Sequence, residues 1–400
     1  MNPSERVAGP LSGCTIVEIG LDEAGQHAGM LLARLGARVV KLEPLEGEAG
    51  RLMPPFADDT DGRRRSVPYE FLNAGKDSIA LDLDDAFAFG MLAELVGDHG
   101  AVLVSPKFAS RVAADLEAPV IAAGAHGATG INVDLPSSPF TRFQSGGSGF
   151  LIPGDRPTMP GTLAGECFAG AGIAVCVLGL LLMRLQGTPA ASSPLRADYS
   201  QQAHAANLEK LFVGRASKDG VEPTREGHRY PFGGAVRCSD GYVSMLIFEE
   251  HQWRGLCRVI GRDDWAADPR FKGWAGRAAM KEEIDSALQE WCASRSVAEV
   301  LRSARPEGVA IGAVRSPREV LSDEWLQRRG FIREAETAFG PARVAHLPFG
   351  PHPLWNVQVR ESAPLPGDQS RQILRQLGYD DAEQALLETL RLVRYPHATA

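Results

Sequence analysis

The longest uniform stretch of the chain is apolar. From Cys167 to Met183 no residue is charged, and Pro160, Gly161 and Thr162 precede the run while Gly187 and Pro189 follow it. Glycine and proline just outside an apolar run mark helix ends, so the pattern predicts one long helix within residues 161–187. Its first half is crowded with small residues (Gly165, Ala169, Gly170, Ala171, Gly172, Ala174) and its second half is leucine-rich on every side. That predicts a helix buried in the centre of a large core. The length is near the minimum for crossing a bilayer, but no second span and no stop-transfer flank accompany it.

Ahead of this helix, short apolar runs alternate with amphipathic ones. Residues 14–43 read as a strand, a loop, a helix closed by Gly36 and a strand ending at Glu43, which is a βαβ unit. A turn carrying Asn73 and Lys76 leads into a strand, and a helix over 85–98, a strand over 101–105, a helical stretch from Pro106 to Leu116 and a strand over 119–123 follow. Such alternation predicts a mostly parallel sheet covered on both faces. Past the long helix, residues 195–214 give a strand and a helix capped by Ser200.

The texture then changes near residue 215. A hairpin over 229–248 turning at Ser239, Asp240 and Gly241, helices over 249–260, 278–294 and 297–304, a strand over 309–314 and two short helices to Arg329 describe a smaller α+β domain. Residues 331–362 read as strands and 368–394 as two helices. The expected division is 1–214 for a large α/β domain, 215–330 for the small one and 331–400 for a return segment.

Composition narrows the partners. A chain of 400 residues, 44% hydrophobic and 23% charged, suffices for a sizeable core, and its net charge of -8 argues against nucleic acid and anionic membrane as partners. Small molecules or protein remain. The six cysteines form no CxxC and the opening MNPSERVAGPLSG has no apolar signal core, so a cytoplasmic protein with free thiols is expected. There is no metal-ligand cluster, no GxSxG and no P-loop. Gly20, Gly25 and Gly29 do not make GxGxxG, and Asp22 with Glu23 would repel a pyrophosphate, so Glu43 is not read as the ribose-binding acid of a dinucleotide site.

The candidate chemistry centres on Glu166, the acidic residue at the start of the long helix. Helix N–H groups there favour the carboxylate and burial opposes it. Glu166 reads either as a neutraliser of the helix dipole or as a fixed nucleophile with small neighbours leaving room for a substrate. The Gly-, Ser- and Pro-rich approach over 124–162 suits a functional loop, and His126 within it is a candidate base. Arg63, Arg64 and Arg65 read as a solvated loop or a phosphate clamp.

Several segments together resemble the class III CoA-transferases, the CaiB/BaiF-type family that also includes α-methylacyl-CoA racemases. They are PLSGCTIVEIG, MLLARLGARVVKLEP, FLNAGKDSIALDL, AGIAVCVLGLLLMRLQG, CSDGYVSMLIFEEHQWRGLCRVIGRDDWAADPRF and APLPGDQSRQILRQLGY, in family order along nearly the whole chain. The resemblance implies a Rossmann-like large domain built from both chain ends, so that 331–400 completes it, a smaller central domain and an interlocked homodimer. It also implies transfer of CoA from an acyl-CoA donor to a small carboxylic acid, with CoA thioesters as substrates and no tightly bound cofactor.

An ungapped match back from Arg184 places the family's nucleophilic Asp at Glu166. Glutamate keeps the attacking oxygen and adds one methylene. By the same resemblance Ala24, Gly25, Asn73, Lys76, Leu81, Lys107, Arg111 and Gln144 would line the CoA cleft, with Gly127 also retained. Pro44, Pro106 and Lys107 depart from the family's cleft residues. The racemase alternative, with Glu166 as a base, requires a histidine near Pro139, and a non-catalytic homologue is the third reading. The common expectation is a carboxylate at the mouth of a glycine-lined helix, facing a cleft.

Overall fold

The structure is a computed structural model that describes residues 9–152, 156–161, 163–187, 195–208, 218, 232–347, 357 and 359–396. The expected helical residues 209–214, the start of the hairpin at 229–231 and the return segment at 348–356 lie outside the described residues. The chain divides into two compact units, one of residues 1–152, 156–222 and 327–400, the other of 153–155 and 223–326.

The first unit opens with β1 (Thr15–Ile19), α1 (Glu23–Arg34) and β2 (Arg38–Pro44), the predicted βαβ unit. Next come a hairpin of β3 (Phe56–Asp58) and β4 (Arg64–Ser66), α2 (Val67–Asn73), β5 (Asp77–Leu81), α3 (Phe87–Gly90), α4 (Leu92–Val96), β6 (Ala101–Val104), α5 (Pro106–Ala109) and β7 (Val120–Gly124). Then follow α6 (Pro139–Ser145), α7 (Ala164–Leu185), β8 (Arg196–Ser200) and α8 (Gln201–Leu208).

The second unit contributes β9 (Gly234–Arg237), β10 (Tyr242–Met245) and β11 (Ile311–Val314), an antiparallel sheet of order β11-β10-β9. Helices Glu250–Ile260, Lys281–Ala293 and Val297–Ala304 belong to the same unit. Their core holds Trp253, Trp265 and Phe271, with the Trp265 and Phe271 ring centres 4.7 Å apart. After it the chain adds a hairpin, β12 (Ile332–Thr337) and β13 (Gly340–Ala345), and ends its described structure with β14 (Val393–Arg394).

The main sheet has seven strands in the order β14-β5-β2-β1-β6-β7-β8, parallel except where β14 pairs antiparallel with β5. The six parallel strands therefore follow the order of doubly wound nucleotide-binding sheets. Strand β1 pairs with β2 through Val17↔Val40 and with β6 through Val17↔Val102, so the order reverses there. Ligands in such sheets sit at the carboxyl ends of the strands beside that reversal. The Rossmann-like, mostly parallel α/β fold is the expected one.

The helix α7 lies against α1, burying Ala169, Ile173, Ala174, Val177 and Leu181 with Ala24, Ala28 and Leu32. Each large apolar side chain so buried contributes about 1.5–3 kcal/mol. The backbones come close because Gly170 has no side chain: a Cβ there would stand 2.6 Å from the Ala24 carbonyl oxygen and 2.7 Å from His27 Nδ1.

The expectation of burial on every side is corrected. Phe168, Val175 and Leu182, seven residues apart and so on one face, are 60%, 68% and 53% exposed, with Ala171 and Gly179 between them. An apolar composition all round does not say which stripe meets this chain's own core.

Three local expectations also change. The helix over 85–98 is two short ones divided at Met91, and the stretch from Pro106 keeps one turn before Arg111 reaches back to the carbonyl oxygens of Leu83 and Asp84. The second of the two C-terminal helices stops at Thr389, leaving Val393 and Arg394 to pair with Leu81 and Ala80.

Candidate active site

Glu166 is the third residue of α7, a helix whose first N–H groups have no side-chain cap. Those N–H groups and the helix dipole favour a negative charge at this end. The side chain is only 3% exposed. Its Oε1 accepts a hydrogen bond of 3.1 Å from Arg142 Nη2, and Oε2 is buried with no partner among the described residues.

Arg142 comes from α6, whose start is fixed by reciprocal bonds between Ser138 and Thr141 and by Pro139 in the first turn. It is buried too, donating to Ser137 Oγ at 3.1 Å. Asp22 and Glu23, where β1 hands over to α1, approach the guanidinium at 3.9 Å each. Asp22 caps α1 by accepting from Gly25 N and accepts from Gln201 Nε2 at 2.7 Å. Burial, with the Asp22 and Glu166 charges, holds the Glu23 carboxyl above the usual range, against the pull of its own backbone N–H and of Arg142.

A cavity of about 350 Å³ opens on Glu166 and Arg142. Its walls are largely apolar, among them Pro139, Phe143, Ile152, Pro160, Phe168 and Ala205, and Gly165 leaves its Cβ direction empty. The polar lining residues besides the ion pair are Ser148, Gln201 and His204. Ser148 follows Gly147 at φ +91° and keeps a buried Oγ with no partner among the described residues. Burial pushes His204 below its ordinary value, so it is neutral near pH 7. A carboxylate with one bonded oxygen, lining the same apolar chamber as a serine hydroxyl, is a group that can serve as a nucleophile or a base. A cavity therefore lies beside Glu166, and the carboxylate is paired with a cation, Arg142, that sequence reasoning missed.

The other expected site residues divide. Ala24 and Gly25 are buried in the first turn of α1, beside Asp22 and Glu23. Gln144 lies on α6 and donates to the Thr158 carbonyl at 2.8 Å. Lys107 and Arg111 are exposed just past β6, with Lys107 Nζ 4.9 Å from the centre of the Phe108 ring.

Asn73, Lys76 and Leu81 do not line this cavity, and the expectation that they face a cleft is corrected. Lys76 is fully buried, donating to Glu18 at 2.8 and 3.0 Å, to the Gln26 carbonyl at 2.7 Å and to Asn73 Oδ1 at 3.1 Å. Asn73 in turn donates to Gln26 Oε1 at 2.8 Å, and Leu81 is covered by its pairing with Val393. Buried polar groups must be satisfied, and these satisfy one another.

Glu43 belongs to the same interior. It takes two bonds from Arg51, at 2.8 and 2.6 Å, and one from Ser78 at 2.6 Å. His126 does not reach the cavity, since its Nδ1 is 2.7 Å from Gln202 Oε1.

Arg142, Ser148, Gln201 and His204 were the residues that sequence reasoning missed. The available signal was faint: one arginine between two glycine-rich loops, three residues after a Ser-Pro helix start at Ser138 and Pro139.

The fold and this site define a doubly wound α/β protein with a buried carboxylate over a ligand-sized chamber. The family described as "CoA-transferase family III" matches residues 11–119 and 120–370, so the chain belongs to that family. It is 25% identical to the succinate–glutarate CoA-transferase of Agrobacterium fabrum, over 92% of this chain and 96% of that protein. It is 26% identical to a probable CoA-transferase of Mycobacterium tuberculosis, Rv1866, over its whole length but only 52% of that longer protein. Among solved structures, a CaiB/BaiF family protein from Brucella suis superposes with a TM-score of 0.76 at 21% identity, covering 92% of this chain and all of that one. That likeness bears on the fold.

Proposed function

We propose that the protein moves CoA from an acyl-CoA thioester to a carboxylic acid, with Glu166 as the covalent carrier. The observation that supports this most is Glu166 Oε2, a buried carboxylate oxygen with no partner among the described residues, on a side chain that lines a chamber of about 350 Å³. Relatives named for CoA transfer between succinate and glutarate, and from formyl-CoA to oxalate, support the reaction class.

In the first step a Glu166 oxygen bonds to the thioester carbon, the carbon–sulfur bond breaks and CoA leaves as thiolate. The thiolate then attacks the Glu166 carbonyl carbon of the resulting anhydride and expels the donor acid, leaving a Glu166–CoA thioester. An acceptor carboxylate reverses the sequence and regenerates Glu166. Arg142 fixes the nucleophile, and Ser148 Oγ supplies a hydrogen bond to the oxyanion that forms at the attacked carbon. Ala24, Gly25 and Gln144, with exposed Lys107 and Arg111 for its phosphates, are the proposed contacts of CoA. The exposed stripe of Phe168, Val175 and Leu182 is the proposed contact of a homodimer.

The reading is tested by mass spectrometry of the intact protein after incubation with acyl-CoA. An adduct on Glu166 that hydroxylamine releases is the expected result. An unmodified Glu166 during measurable turnover refutes the covalent mechanism.

A further inference from the structure

We infer that the acid accepted at this site is an apolar monocarboxylate, and that Arg142 receives it only once Glu166 is held as its CoA thioester. The inference rests on Glu166 acting as the covalent carrier, and it concerns what the same chamber admits next.

Charge comes first. In the resting protein the guanidinium donates to Glu166 Oε1 and Ser137 Oγ, while Asp22 and Glu23 stand at 3.9 Å, outside hydrogen-bond reach. An acid entering now would meet Glu166, Asp22 and Glu23 against a single arginine, and Coulomb repulsion opposes it. Conversion to the CoA thioester turns the Glu166 carboxylate into a neutral group. Arg142 cannot shed its proton, so it is left with one charged hydrogen-bond acceptor fewer in a buried place. Asp22 is already committed to Gly25 N and Gln201 Nε2. The incoming carboxylate restores the lost charge, and does so beside the carbon it must attack.

The chamber sets the rest of the molecule. Beyond the guanidinium the lining is mainly Pro139, Phe143, Ile152, Pro160, Phe168 and Ala205. Among the described lining residues Arg142 is the one permanent cation, and burial lowers the proton affinity of His204. A second carboxylate on the acid would lie against apolar walls with no cation among the described lining residues to meet it, and its desolvation would go uncompensated. A hydrocarbon tail gains from the same walls. The buried Ser148 Oγ, with no partner among the described residues, is the polar donor that remains for the acid's reacting end.

The step balances. One oxygen of the bound acid bonds to the Glu166 acyl carbon, the carbon–sulfur bond breaks and CoA leaves as thiolate. The thiolate then attacks the acid's carbonyl carbon, the anhydride carbon–oxygen bond breaks, and Glu166 returns to Arg142 as a carboxylate.

Glu166→Gln imitates the neutral side chain of the thioester and allows binding to be read without turnover. Calorimetry on the full chain should show hexanoate binding Glu166→Gln at least about tenfold more tightly than wild type, a shift of about 1.4 kcal/mol. Succinate should show no such gain, and Arg142→Leu combined with Glu166→Gln should abolish it.

A second measurement uses wild type charged with CoA on Glu166, where hexanoate should discharge the adduct faster than succinate does. It decides the matter alone if the variants do not fold. Equal hexanoate affinity in wild type and Glu166→Gln, or succinate equalling hexanoate in either measurement, overturns the inference. If the Glu166 adduct forms all the same, the transferase mechanism survives that failure; if no adduct forms, both fall.

Discussion

Glu166 and Arg142 hold each other in a space where neither charge would be stable alone. Removing one partner of such a pair leaves an uncompensated buried charge, at a cost of about 3–5 kcal/mol. Arg142→Leu is expected to lose that much in chemical denaturation. Arg142→Leu combined with Glu166→Gln should recover part of the loss, and a double-mutant cycle reads the coupling directly. Additive losses would show that the 3.1 Å contact carries little energy. Glu166→Asp keeps a carboxylate but draws it back by about a carbon–carbon bond from both Arg142 and the chamber. Because about 1 Å of misplacement can cost 10²-fold, kcat should fall by about that factor. Glu166 was legible in the sequence because it is the only charge at the head of a long apolar run. Arg142 was not, because it sits 24 residues away in sequence among glycine-rich loops. No periodicity in those loops says where a side chain points.

At the scale of elements, the site depends on how closely α7 can approach α1. Gly170→Ala would drive a methyl group into the Ala24 carbonyl oxygen and His27 Nδ1, at 2.6 and 2.7 Å. Overpacking of this kind costs about 1–3 kcal/mol, which a drop in thermal midpoint would report. The same contact sets an acid limit. Burial, with the Lys76 and Arg34 charges, pushes His27 from 6.5 down to about 4. The unfolded chain therefore takes up a proton at this residue before the folded one does. Stability contributed here is full above pH 6.5 and is lost as pH falls toward 4, by up to about 1.4 kcal/mol per pH unit. His27→Gln should flatten that part of a stability–pH curve, and an unchanged slope would contradict the assignment. The ends of α7 could be read from its glycines and prolines, but which of its apolar stripes stays uncovered could not.

For the whole molecule, the alternation of apolar runs foretold a parallel sheet, and the paired registers of β1, β2 and β6 supply its centre. The edge strand β14 escaped notice because two residues paired antiparallel leave no pattern of their own. The apolar stripe on α7 predicts a homodimer by light scattering, and charges at its centre, Val175→Glu with Leu182→Glu, should yield a folded monomer. A wild-type monomer at micromolar concentration would remove that proposal. Covalent transfer through Glu166 requires that this residue exchange oxygen with the acid it serves. The most direct measurement is a single turnover with an acceptor acid carrying oxygen-18 in both carboxylate positions, followed by mass analysis of the peptide containing Glu166. One labelled oxygen should stay in the new thioester and the other should appear on Glu166, a gain of about 2 Da that follows from the anhydride step. Product formation with Glu166 at its natural mass would contradict the mechanism.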